Sequence, residues 1–424
     1  MLLTQKIIFK MMGFKIQESY EELLKIKSLS PDEFKDWREK KRWDIVNHHF
    51  NNNTYYRSKF LKKSLSSWDQ LPILNKEDLQ CELGSILTSP YKEKDVYIAN
   101  TSGSSGHPFY FAKNKECHSL TWAYIKWRYE SIGISMNDLQ ARFYGMPLDF
   151  FSNLKEKIKD NAFNRIRFPV FDFSEKKLYE YVKKFRQNEF DYIYGYTNSI
   201  VLFCRFLIKN NINLLKICPS IKSVIVTSEV CTKEDRIIIG KAIDVPLYDE
   251  YGASEFAYIG YQKSENTWLV SEEMVYVEQG EGGSILITDL HNKAYPFIRY
   301  NIGDLAKVYE LNGQTLIESL KGRENDTILL PSGKKAAGLT FYYISRSILE
   351  KSGVLKEFII RQVAINKFIF DAVTDRPLTD NEIRDIKLNL DIYLEKGLEL
   401  EINRVKKIMR PSSGKIKHFY SEIK

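Results

Sequence analysis

The sequence lacks a cysteine pattern of the kind that builds disulfide frameworks or zinc sites. Its five cysteines are an odd number, they are widely spaced, and no two of them form a Cys-x-x-Cys pair. A scattered, odd set argues against a disulfide-stapled scaffold and against a structural zinc knuckle. We therefore expect reduced thiols and a cytoplasmic protein.

A long uninterrupted apolar run is also missing, even at the apolar N-terminus. Lys6, Lys10 and Lys15 interrupt that segment every few residues. A membrane span needs about 20 consecutive apolar residues, and a signal peptide needs an unbroken apolar core. The pattern predicts a short amphipathic helix. Such a helix either packs on the body of the protein or makes a weak contact with a membrane surface through residues 1–16.

The chain has no large excess of charge of one sign. Its 63 basic and 55 acidic residues give a net charge of +8 over 424 residues. This mild balance suits a protein that handles anionic small molecules as well as one that touches nucleic acid or a membrane, but no basic run is dense enough to favour nucleic acid. A hydrophobic fraction of 43% indicates a globular protein, and the length predicts more than one domain.

A flexible loop of hydroxyl and glycine residues connects two predicted strands at 96–99 and 109–112. The loop consists of Thr101, Ser102, Gly103, Ser104, Ser105 and Gly106. Glycines let backbone N–H groups converge on an anion, and hydroxyls add donors, so the loop could hold a phosphate. A solvated hairpin turn is the alternative. The loop differs from a Walker motif, because His107 and Pro108 follow it and the chain returns as a strand.

Strands and helices alternate between residues 191 and 248. The predicted order is a strand, a glycine turn and a helix over 191–209, then a buried strand at 221–227, a helix over 232–242 and a short strand at 246–248. This alternation is typical of a parallel α/β sheet. Ligands bind such sheets at the carboxyl ends of the strands, where Ser228, Glu229 and the residues after Tyr248 are expected.

The C-terminal part of the chain predicts a separate α+β unit of about a hundred residues. Two alternating strands at 358–364 and 367–373 precede a helix over 379–396 and a further strand at 398–407. Thr379 and Glu382 form the sequence signature of a helix cap. The predicted boundary lies near 322–332.

Four further motifs follow the loop along the chain. They are Tyr251-Gly252-Ala253-Ser254-Glu255, Arg299-Tyr300-Asn301-Ile302-Gly303-Asp304, Gly322-Arg323-Glu324-Asn325-Asp326 and Gly414-Lys415. A hydroxyl and a carboxylate at a strand end can hold a phosphate oxygen and Mg²⁺ together. Each motif taken alone has an ordinary alternative: Asp304 and Asp326 as turn residues, Glu255 as a helix cap, and Lys415 as a surface lysine.

In this order the five motifs resemble those of the adenylate-forming superfamily of acyl-CoA synthetases and adenylation domains. The chain is most similar to the phenylacetate-CoA ligase group and, within it, to the capsular polysaccharide biosynthesis branch, whose patterns also match residues 53–56 and 71–76. The resemblance runs from about residue 37 to the C-terminus. It implies an α/β fold, with a large adenylation domain of mixed sheets and helices over 1–322 and a small mobile α+β domain over 323–424.

The resemblance also implies a role for each motif. The residues that it assigns to ATP are Thr101 to Gly106 for the phosphates, Ser228, Glu229, Tyr248, Glu250, Tyr251 and Gly252 around the adenine, Ser254 and Glu255 for phosphate and Mg²⁺, and Asp304 and Arg323 for the ribose. Asp326 is placed near the hinge. Glu255 and Lys415 are the predicted catalytic residues, with Lys415 at the reacting carboxylate. The acyl pocket is expected at Tyr144, Gly145, Tyr196 and Tyr248.

The chain departs from the family pattern at two positions. Ser254 replaces the usual Thr and keeps the hydroxyl. Phe109 stands where many relatives have Lys, which removes a positive charge and is expected to weaken the grip on pyrophosphate. Relatives with a zinc site carry its cysteines after the Tyr-Gly motif, and here no cysteine follows Cys231, so no zinc is expected.

The function implied by the resemblance is activation of a carboxylic acid by ATP as an acyl-adenylate, followed by transfer to coenzyme A or another thiol. ATP, Mg²⁺ and coenzyme A are the expected cofactors. One alternative is an enzyme of polysaccharide biosynthesis that delivers an acyl or aminoacyl group to an amino sugar, with a carrier protein as partner. The sequence is also compatible with a non-catalytic AMP-binding relative and with a peripheral membrane scaffold.

Overall fold

The fold is described from a computed structural model of the chain. The described residues are 3–60, 67–100, 109–145, 150–170, 173–320, 327–333, 335–337, 341, 344, 354–409 and 419–423. They divide into two compact units. The larger unit contains Met1–Ile302 and Lys307–Ser319, and the second contains Gly303–Ala306, Leu320–Pro411 and the described residues 419–423. Strand β12 (Tyr300–Leu305) therefore begins in the larger unit and ends in the second.

The larger unit begins with helices and continues with alternating strands and helices. In chain order its elements are α1 (Leu3–Met11), α2 (Ile16–Lys27), α3 (Pro31–Asn52), α4 (Thr54–Ser58), α5 (Lys76–Leu79), α6 (Leu83–Ile86), β1 (Val96–Asn100), β2 (Tyr110–Asn114), α7 (Lys115–Ser131), β3 (Gln140–Tyr144), α8 (Phe150–Ala162), β4 (Arg165–Pro169), α9 (Glu175–Gln187), β5 (Tyr192–Tyr196), α10 (Thr197–Lys209), α11 (Leu214–Ile217), β6 (Ser223–Thr227), α12 (Lys233–Ala242), β7 (Leu247–Tyr251), β8 (Gly260–Ser264), β9 (Thr267–Val270), β10 (Val275–Gln279), β11 (Ser284–Asp289), β12 (Tyr300–Leu305), β13 (Lys307–Leu311) and β14 (Gln314–Glu318). Short 3-10 turns lie at Trp68–Gln70, Glu93–Asp95 and Glu281–Gly283.

A nine-stranded mixed sheet organises the larger unit, with the strand order β13-β14-β9-β8-β7-β6-β5-β3-β4. Strands β4, β3, β5, β6 and β7 run parallel to one another. Strands β8, β9, β14 and β13 continue the sheet with antiparallel pairs. A three-stranded sheet, β10-β11-β12, and the antiparallel pair β1-β2 accompany it. The α/β fold class predicted from the sequence is confirmed.

The main core lies between the parallel strands and helices α9, α10 and α12. Aromatic rings fill it, and Phe143, Phe168 and Phe203 are fully buried there. Helix α10 has the continuous apolar character that burial requires, since eight of its residues are buried. The other face of the same sheet packs against α7, where Tyr129 meets Tyr192 with ring centroids 5.9 Å apart.

Gly195 lies inside strand β5, which corrects the predicted glycine turn. A Cβ at this position would stand 2.3 Å from the carbonyl oxygen of Phe143 on the neighbouring strand. The glycine is therefore required by the close approach of two backbones and not by a change of chain direction. The helix starts directly afterwards, at Thr197.

Strand β7 is longer than the sequence pattern predicts. It runs through Tyr251, so Tyr248, Glu250 and Tyr251 belong to the strand and not to the loop after it. Asp249 and Glu250 are buried but polar. Because a buried strand is predicted from a run of apolar residues, the pattern ends before these two positions.

The second unit is a small α+β body. Its elements are β15 (Thr327–Leu329), β16 (Lys335–Ala337), β17 (Leu355–Ala364), β18 (Lys367–Thr374), α13 (Asp380–Tyr393), β19 (Glu399–Arg404) and β20 (Phe419–Ser421). The sheet order is β19-β18-β17-β20, and β18 and β19 are parallel strands joined by α13. Helix α13 starts at the predicted cap, since the side chain of Thr379 accepts a hydrogen bond from Glu382 N. The predicted boundary residue 322 lies outside the described residues.

No helix in the part of the chain that the structure describes is both long and apolar enough to cross a membrane.

Candidate active site

The predicted acyl-pocket residues Tyr144 and Tyr196 meet at the carboxyl ends of two neighbouring parallel strands. Tyr144 ends β3 and Tyr196 ends β5, and their ring centroids are 4.2 Å apart. The chain leaves β3 towards β4 on one side and returns to β5 on the other, so the strand order reverses between these two strands. Open α/β sheets bind ligands at such a reversal, outside the carboxyl ends of the strands. Gly145 follows Tyr144 directly at this edge and is half-buried.

An arginine that the sequence analysis missed lies beside these tyrosines. The guanidinium of Arg142 stands 4.1 Å from the ring centroid of Tyr144 and 5.0 Å from that of Tyr194. Its Nη1 donates to Oε1 of Gln140 at 3.1 Å, whereas its Nε is buried without a hydrogen-bond partner. The signal in the sequence is the pair of polar residues Gln140 and Arg142 at alternate positions of a short, otherwise apolar strand.

Glu250 is a buried carboxyl in β7, on the face of the sheet that also carries Tyr248. Burial raises the pKa of Glu250 to about 8, and the Arg128 guanidinium opposes this rise. Arg128 lies on α7, 3.9 Å from the ring centroid of Tyr261 and 5.7 Å from that of Tyr248. This face therefore combines tyrosine rings, a carboxyl that keeps its proton near neutral pH, and cationic groups.

The other buried acid of β7 faces the opposite side of the sheet. Asp249 pairs with Arg236 of α12 at 2.8 Å. Burial raises the pKa of Asp249 to about 7, although the Arg236 guanidinium lowers it. Two adjacent carboxyls are thus held on different faces, as alternation in a strand requires.

Ser228 and Glu229 follow the carboxyl end of β6, as predicted. Ser228 is exposed and has φ +69°, a left-handed conformation that is strained for a residue with a Cβ. The carboxylate of Glu229 accepts a 2.8 Å hydrogen bond from Asn198 N, and the Glu229 carbonyl oxygen accepts from Thr197 Oγ1 at 3.0 Å. The negative charge of Glu229 therefore lies at the N-terminus of α10, where the helix dipole stabilises it.

The Tyr-Gly-x-Ser-Glu motif forms a tight turn after β7. A Cβ on Gly252 would lie 2.1 Å from the carbonyl oxygen of Ala257, so only glycine fits this turn. Ser254 is exposed, whereas Glu255 is buried. The turn therefore presents a hydroxyl to solvent and directs the adjacent carboxylate into the protein.

The arginine and the tyrosine of the 299–304 motif each make a contact that accounts for the residue type. The Tyr300 hydroxyl donates a 3.3 Å hydrogen bond to Oε1 of Glu255. Arg299 is a structural residue: its guanidinium binds Oε1 of Glu278 at 2.8 Å and donates to the Leu71 carbonyl oxygen at 2.9 Å. These bonds hold residues 71–76, which match the family pattern, beside the start of β12. No role is predicted for Arg299 or Tyr300 from the sequence, where only their membership of the motif points to them.

Glu255 could serve as a ligand in a magnesium site of the kind that protein carboxylates and nucleotide phosphates build together. Mg²⁺ in nucleotide enzymes takes one or two carboxylates and completes its shell with phosphate oxygens and water. The carboxylate oxygens of Glu255 are hard donors of this kind, whereas the exposed Ser254 hydroxyl lies on the solvent side of the turn. Within the described ranges, no group of three or more His, Cys, Asp or Glu side chains could hold a metal ion by itself.

Phe109 is a core residue. It is fully buried, with ring centroids 5.8 Å from Phe111 and 6.4 Å from both Tyr295 and Phe297. A lysine in this orientation would bury its ammonium among aromatic rings, at a high desolvation cost.

Several predicted site residues lie outside the described residues. They are Thr101, Ser102, Gly103, Ser104, Ser105, Gly106, Arg323, Asp326 and Lys415. Asp304 is described and lies half-buried in β12. The roles assigned to all of them stay predictions.

No protein-family model matches the chain. The CapK protein of Staphylococcus aureus is 22% identical to it over 429 residues, which cover 96% of this chain and 92% of CapK. The structure is similar to that of a 2-hydroxyisobutyryl-CoA ligase in its postadenylation state with 2-HIB-AMP (TM-score 0.68, 16% identity, 92% of this chain and 90% of that one). It also resembles the acyl acid amido synthetase GH3.15 (TM-score 0.57, 13% identity, 85% and 84%). The chain therefore has the fold of the adenylate-forming superfamily, and the resemblance to this superfamily is confirmed at the level of the fold.

Proposed function

We propose that the protein is an adenylate-forming ligase of the phenylacetate-CoA ligase-like type that activates a carboxylic acid with ATP in the cytoplasm. The observation that carries this proposal is the buried Glu255, oriented by Tyr300 next to the carboxyl end of β7. A carboxylate at the ligand edge of an α/β sheet is a suitable ligand for nucleotide-bound Mg²⁺, which takes one or two carboxylates together with phosphate oxygens. The fold shared with an acyl-CoA ligase bound to an acyl-AMP supports the same chemistry.

In the proposed first step, a carboxylate oxygen of the acid attacks the α-phosphorus of ATP. The bond between this phosphorus and the bridging oxygen breaks, pyrophosphate leaves, and an acyl-adenylate remains. Because two anions approach each other, positioning and cationic charge supply most of the rate gain. When bound through Glu255, Mg²⁺ would supply positive charge at the phosphates. Loop 101–106 would hold the leaving phosphates, Asp304 and Arg323 the ribose, and Lys415 the reacting carboxylate.

In the proposed second step, a thiol attacks the acyl carbonyl and AMP leaves. We propose coenzyme A as the thiol, with domain 323–424 turning about Asp326 relative to domain 1–322 between the steps. This step is inferred from the resemblance, because Asp326 and Lys415 lie outside the described residues.

An amine is the alternative acceptor. The similarity to an acyl acid amido synthetase favours transfer of the acyl or aminoacyl group to an amine. The motif resemblance to the capsular polysaccharide biosynthesis branch suggests an amino sugar as the source of that amine, reached directly or through a carrier protein. The first step is the same in both cases. Only the nucleophile that attacks the adenylate differs.

The proposal is tested by acid-dependent exchange of labelled pyrophosphate into ATP with a panel of carboxylic acids. We expect exchange with at least one acid, and a loss of about 10² to 10³ in its rate in Lys415→Ala and in Glu255→Gln. Lys407→Ala, which removes an exposed lysine of the second unit, is the matched control and should keep the full rate. An unchanged rate in Lys415→Ala would remove that residue from the mechanism. Tight AMP binding without exchange for any acid would instead indicate a non-catalytic relative.

The acceptor is identified once an active acid is known. Coenzyme A, a carrier protein and an amino sugar are supplied separately, and the products are distinguished by mass. Thioester formation with coenzyme A supports the leading proposal, whereas an amide product with the amino sugar supports the alternative.

A further inference from the structure

Helix α1 is anchored to the body by one aromatic residue and turns apolar side chains outward. Phe9 is buried, and its ring centroid lies 5.3 Å from that of Trp122 and 5.4 Å from that of Phe163. On the outer face Ile7 is exposed and Met11 is 82% exposed. The helix predicted at the N-terminus is therefore present and packs on the body, while its outer apolar side chains face solvent.

Helix α8, whose C-terminal end contacts α1, also carries exposed apolar residues. Its residues Leu154, Ile158 and Ala162 are spaced by four and so lie along one stripe; Leu154 is exposed and Ile158 is 60% exposed. The Thr4 hydroxyl donates a 3.4 Å hydrogen bond to the Ala162 carbonyl oxygen, which joins the end of this stripe to α1. Thr4 lies on the same side of α1 as Ile7 and Met11, since these positions are three and four residues apart.

We define the helix-pair patch as the exposed apolar residues of these two helices together with exposed lysines of the same helices. Its members are Ile7, Met11, Leu154 and Ile158, with Lys6, Lys10 and Lys157. Scattered single apolar residues are normal on a protein surface, whereas a contiguous group rimmed by charges of one sign indicates an interaction site.

The acidic residues of the same helices are neutralised inside the protein. Helix α1 contains no acidic residue. In α8, Glu156 pairs with Arg167 at 2.7 Å, and Asp160 pairs with Arg165 at 2.5 Å and with Arg167 at 2.7 Å. Glu156 also pairs with Lys159 of the same helix at 2.8 Å. The carboxylates of α8 are therefore all ion-paired, whereas Lys6, Lys10 and Lys157 are exposed, so the two helices present an excess of positive charge beside their apolar side chains.

We propose that the helix-pair patch docks the protein on an anionic lipid surface. An amphipathic helix with lysines on its polar side and apolar residues on the other lies in the interface of a bilayer, and anionic headgroups attract its lysines. A second copy of the chain fits less well, because a symmetric contact would place the lysines of both patches against each other. This proposal does not depend on the proposed function.

The proposal is tested by flotation of the full-length protein with two kinds of vesicle. One contains phosphatidylcholine alone, and the other contains phosphatidylcholine mixed with phosphatidylglycerol. We expect binding to the anionic vesicles that weakens with added salt, and a partition coefficient about tenfold lower in Lys6→Gln/Lys10→Gln. The double variant Met11→Asp/Ile158→Asp should lose binding altogether, because it removes apolar contact and adds negative charge.

The matched control places the same changes elsewhere on the surface. Ile208→Asp/Ile237→Asp alters two exposed isoleucines of α10 and α12 and should bind like the unchanged protein. Circular dichroism and pyrophosphate exchange check that each variant is folded. Equal, weak binding of the unchanged protein to both vesicles overturns the proposal. So does a concentration-dependent dimer that Met11→Asp/Ile158→Asp abolishes, since the patch would then be a contact between copies of the chain.

Discussion

The Tyr300 hydroxyl donates a 3.3 Å hydrogen bond to Oε1 of Glu255, and both side chains are buried. Glu255 lies in the turn after β7 of the nine-stranded sheet, and Tyr300 begins β12 of the three-stranded sheet. One hydrogen bond therefore links two sheets and two motifs that are far apart in the chain. The bond takes one carboxylate oxygen of Glu255, so it restricts the orientation in which this side chain would bind the proposed Mg²⁺.

Replacement of Tyr300 by Phe should weaken the use of Mg²⁺. The variant removes the donor that orients Glu255 while it keeps the ring, whose centroid lies 5.2 Å from that of Phe297. A hydrogen bond to a charged group contributes about 1.5 to 3 kcal/mol, so we expect the half-saturating Mg²⁺ concentration in pyrophosphate exchange to rise about tenfold or more.

The matched control is Tyr295→Phe. Tyr295 is a buried neighbour of the same rings, but its hydroxyl donates to the Leu79 carbonyl oxygen at 2.9 Å. Both variants should lose a similar amount of stability in urea denaturation, and only Tyr300→Phe should change the Mg²⁺ dependence. An equal change in both would show that Tyr300 has a structural role only.

Replacement of Gly252 by Ala should disrupt the turn that carries Glu255. The added methyl group would overlap the Ala257 carbonyl oxygen, 2.1 Å away, which is backbone and can move only with the turn. Forced overlap of this kind costs about 1 to 3 kcal/mol, and exchange activity should fall with stability. The control is Gly240→Ala: Gly240 lies in helix α12, and nothing lies within 4 Å of its Cβ position.

Opposite signs are expected for the two glycine variants in urea denaturation. Alanine in a helix is more stable than glycine by about 0.5 to 1 kcal/mol, so Gly240→Ala should raise the free energy of unfolding, with activity unchanged. A Gly252→Ala protein as stable and active as the original would mean that the turn has room for a Cβ.

The sequence predicts most of the elements, because local signals mark them. The cap of α13 at Thr379, the buried strand β6 and the β1-β2 pair are all present where the pattern places them. The extent of β7 was underestimated, since Asp249 and Glu250 are polar, and their burial depends on partners from other elements such as Arg236. The sequence predicts a turn at Gly195 because it shows the glycine alone. The neighbouring backbone, whose close approach leaves no room for a Cβ, is visible only in the structure.

The candidate site was predicted as a set of motifs, and the structure adds the contacts between them. The hydrogen bond from Tyr300 to Glu255 joins residues 45 positions apart, a separation at which no local pattern reports contact. The same holds for Arg142, which meets Tyr194 only because β3 and β5 are neighbours in the sheet. Conversely, Phe109 can be identified as a core residue only from the rings around it.

Stability should fall with rising pH because of Glu250. Its carboxyl titrates near 4.5 in the unfolded chain and at about 8 in the folded protein, since burial disfavours the charged form. The folded state thus binds more protons between these values. The contribution of Glu250 to stability is fully present below pH 4.5 and is lost as the pH rises through 8. In Glu250→Gln, the free energy of unfolding should decline less steeply, by up to about 1.4 kcal/mol per pH unit.

Urea denaturation over a series of pH values measures this difference. Glu265→Gln, which changes an exposed carboxyl on the turn between β8 and β9, is the control and should follow the original protein. Asp249 is present in all of these proteins, so its contribution to the pH dependence of the free energy of unfolding is common to them. Parallel curves for Glu250→Gln and the original protein would mean that Glu250 is charged in the folded state.

Replacement of Tyr144 by Ala should change which acids are activated. The Tyr144 ring is half-buried at the reversal of strand order, and its centroid lies 4.2 Å from that of Tyr196 and 5.8 Å from that of Tyr194. Its removal opens space at the carboxyl ends of β3 and β5. We expect the KM of the preferred acid in pyrophosphate exchange to rise by about tenfold or more, and bulkier acids to gain relative to it, since pocket contacts of one or two groups contribute about 1 to 3 kcal/mol.

Tyr179→Ala is the matched control for this pocket. Tyr179 lies on α9, is exposed, and has its ring edge against Phe206, with the centroids 4.9 Å apart. The Tyr179→Ala variant therefore removes a ring of the same size from the outside of the same unit. Its variant should keep the acid ranking of the original protein even where stability falls. If Tyr144→Ala also kept that ranking, with only the overall rate reduced, the acid would have to bind away from the Tyr144 and Tyr196 rings, and the acyl pocket would need to be sought nearer to Tyr248 and Arg128.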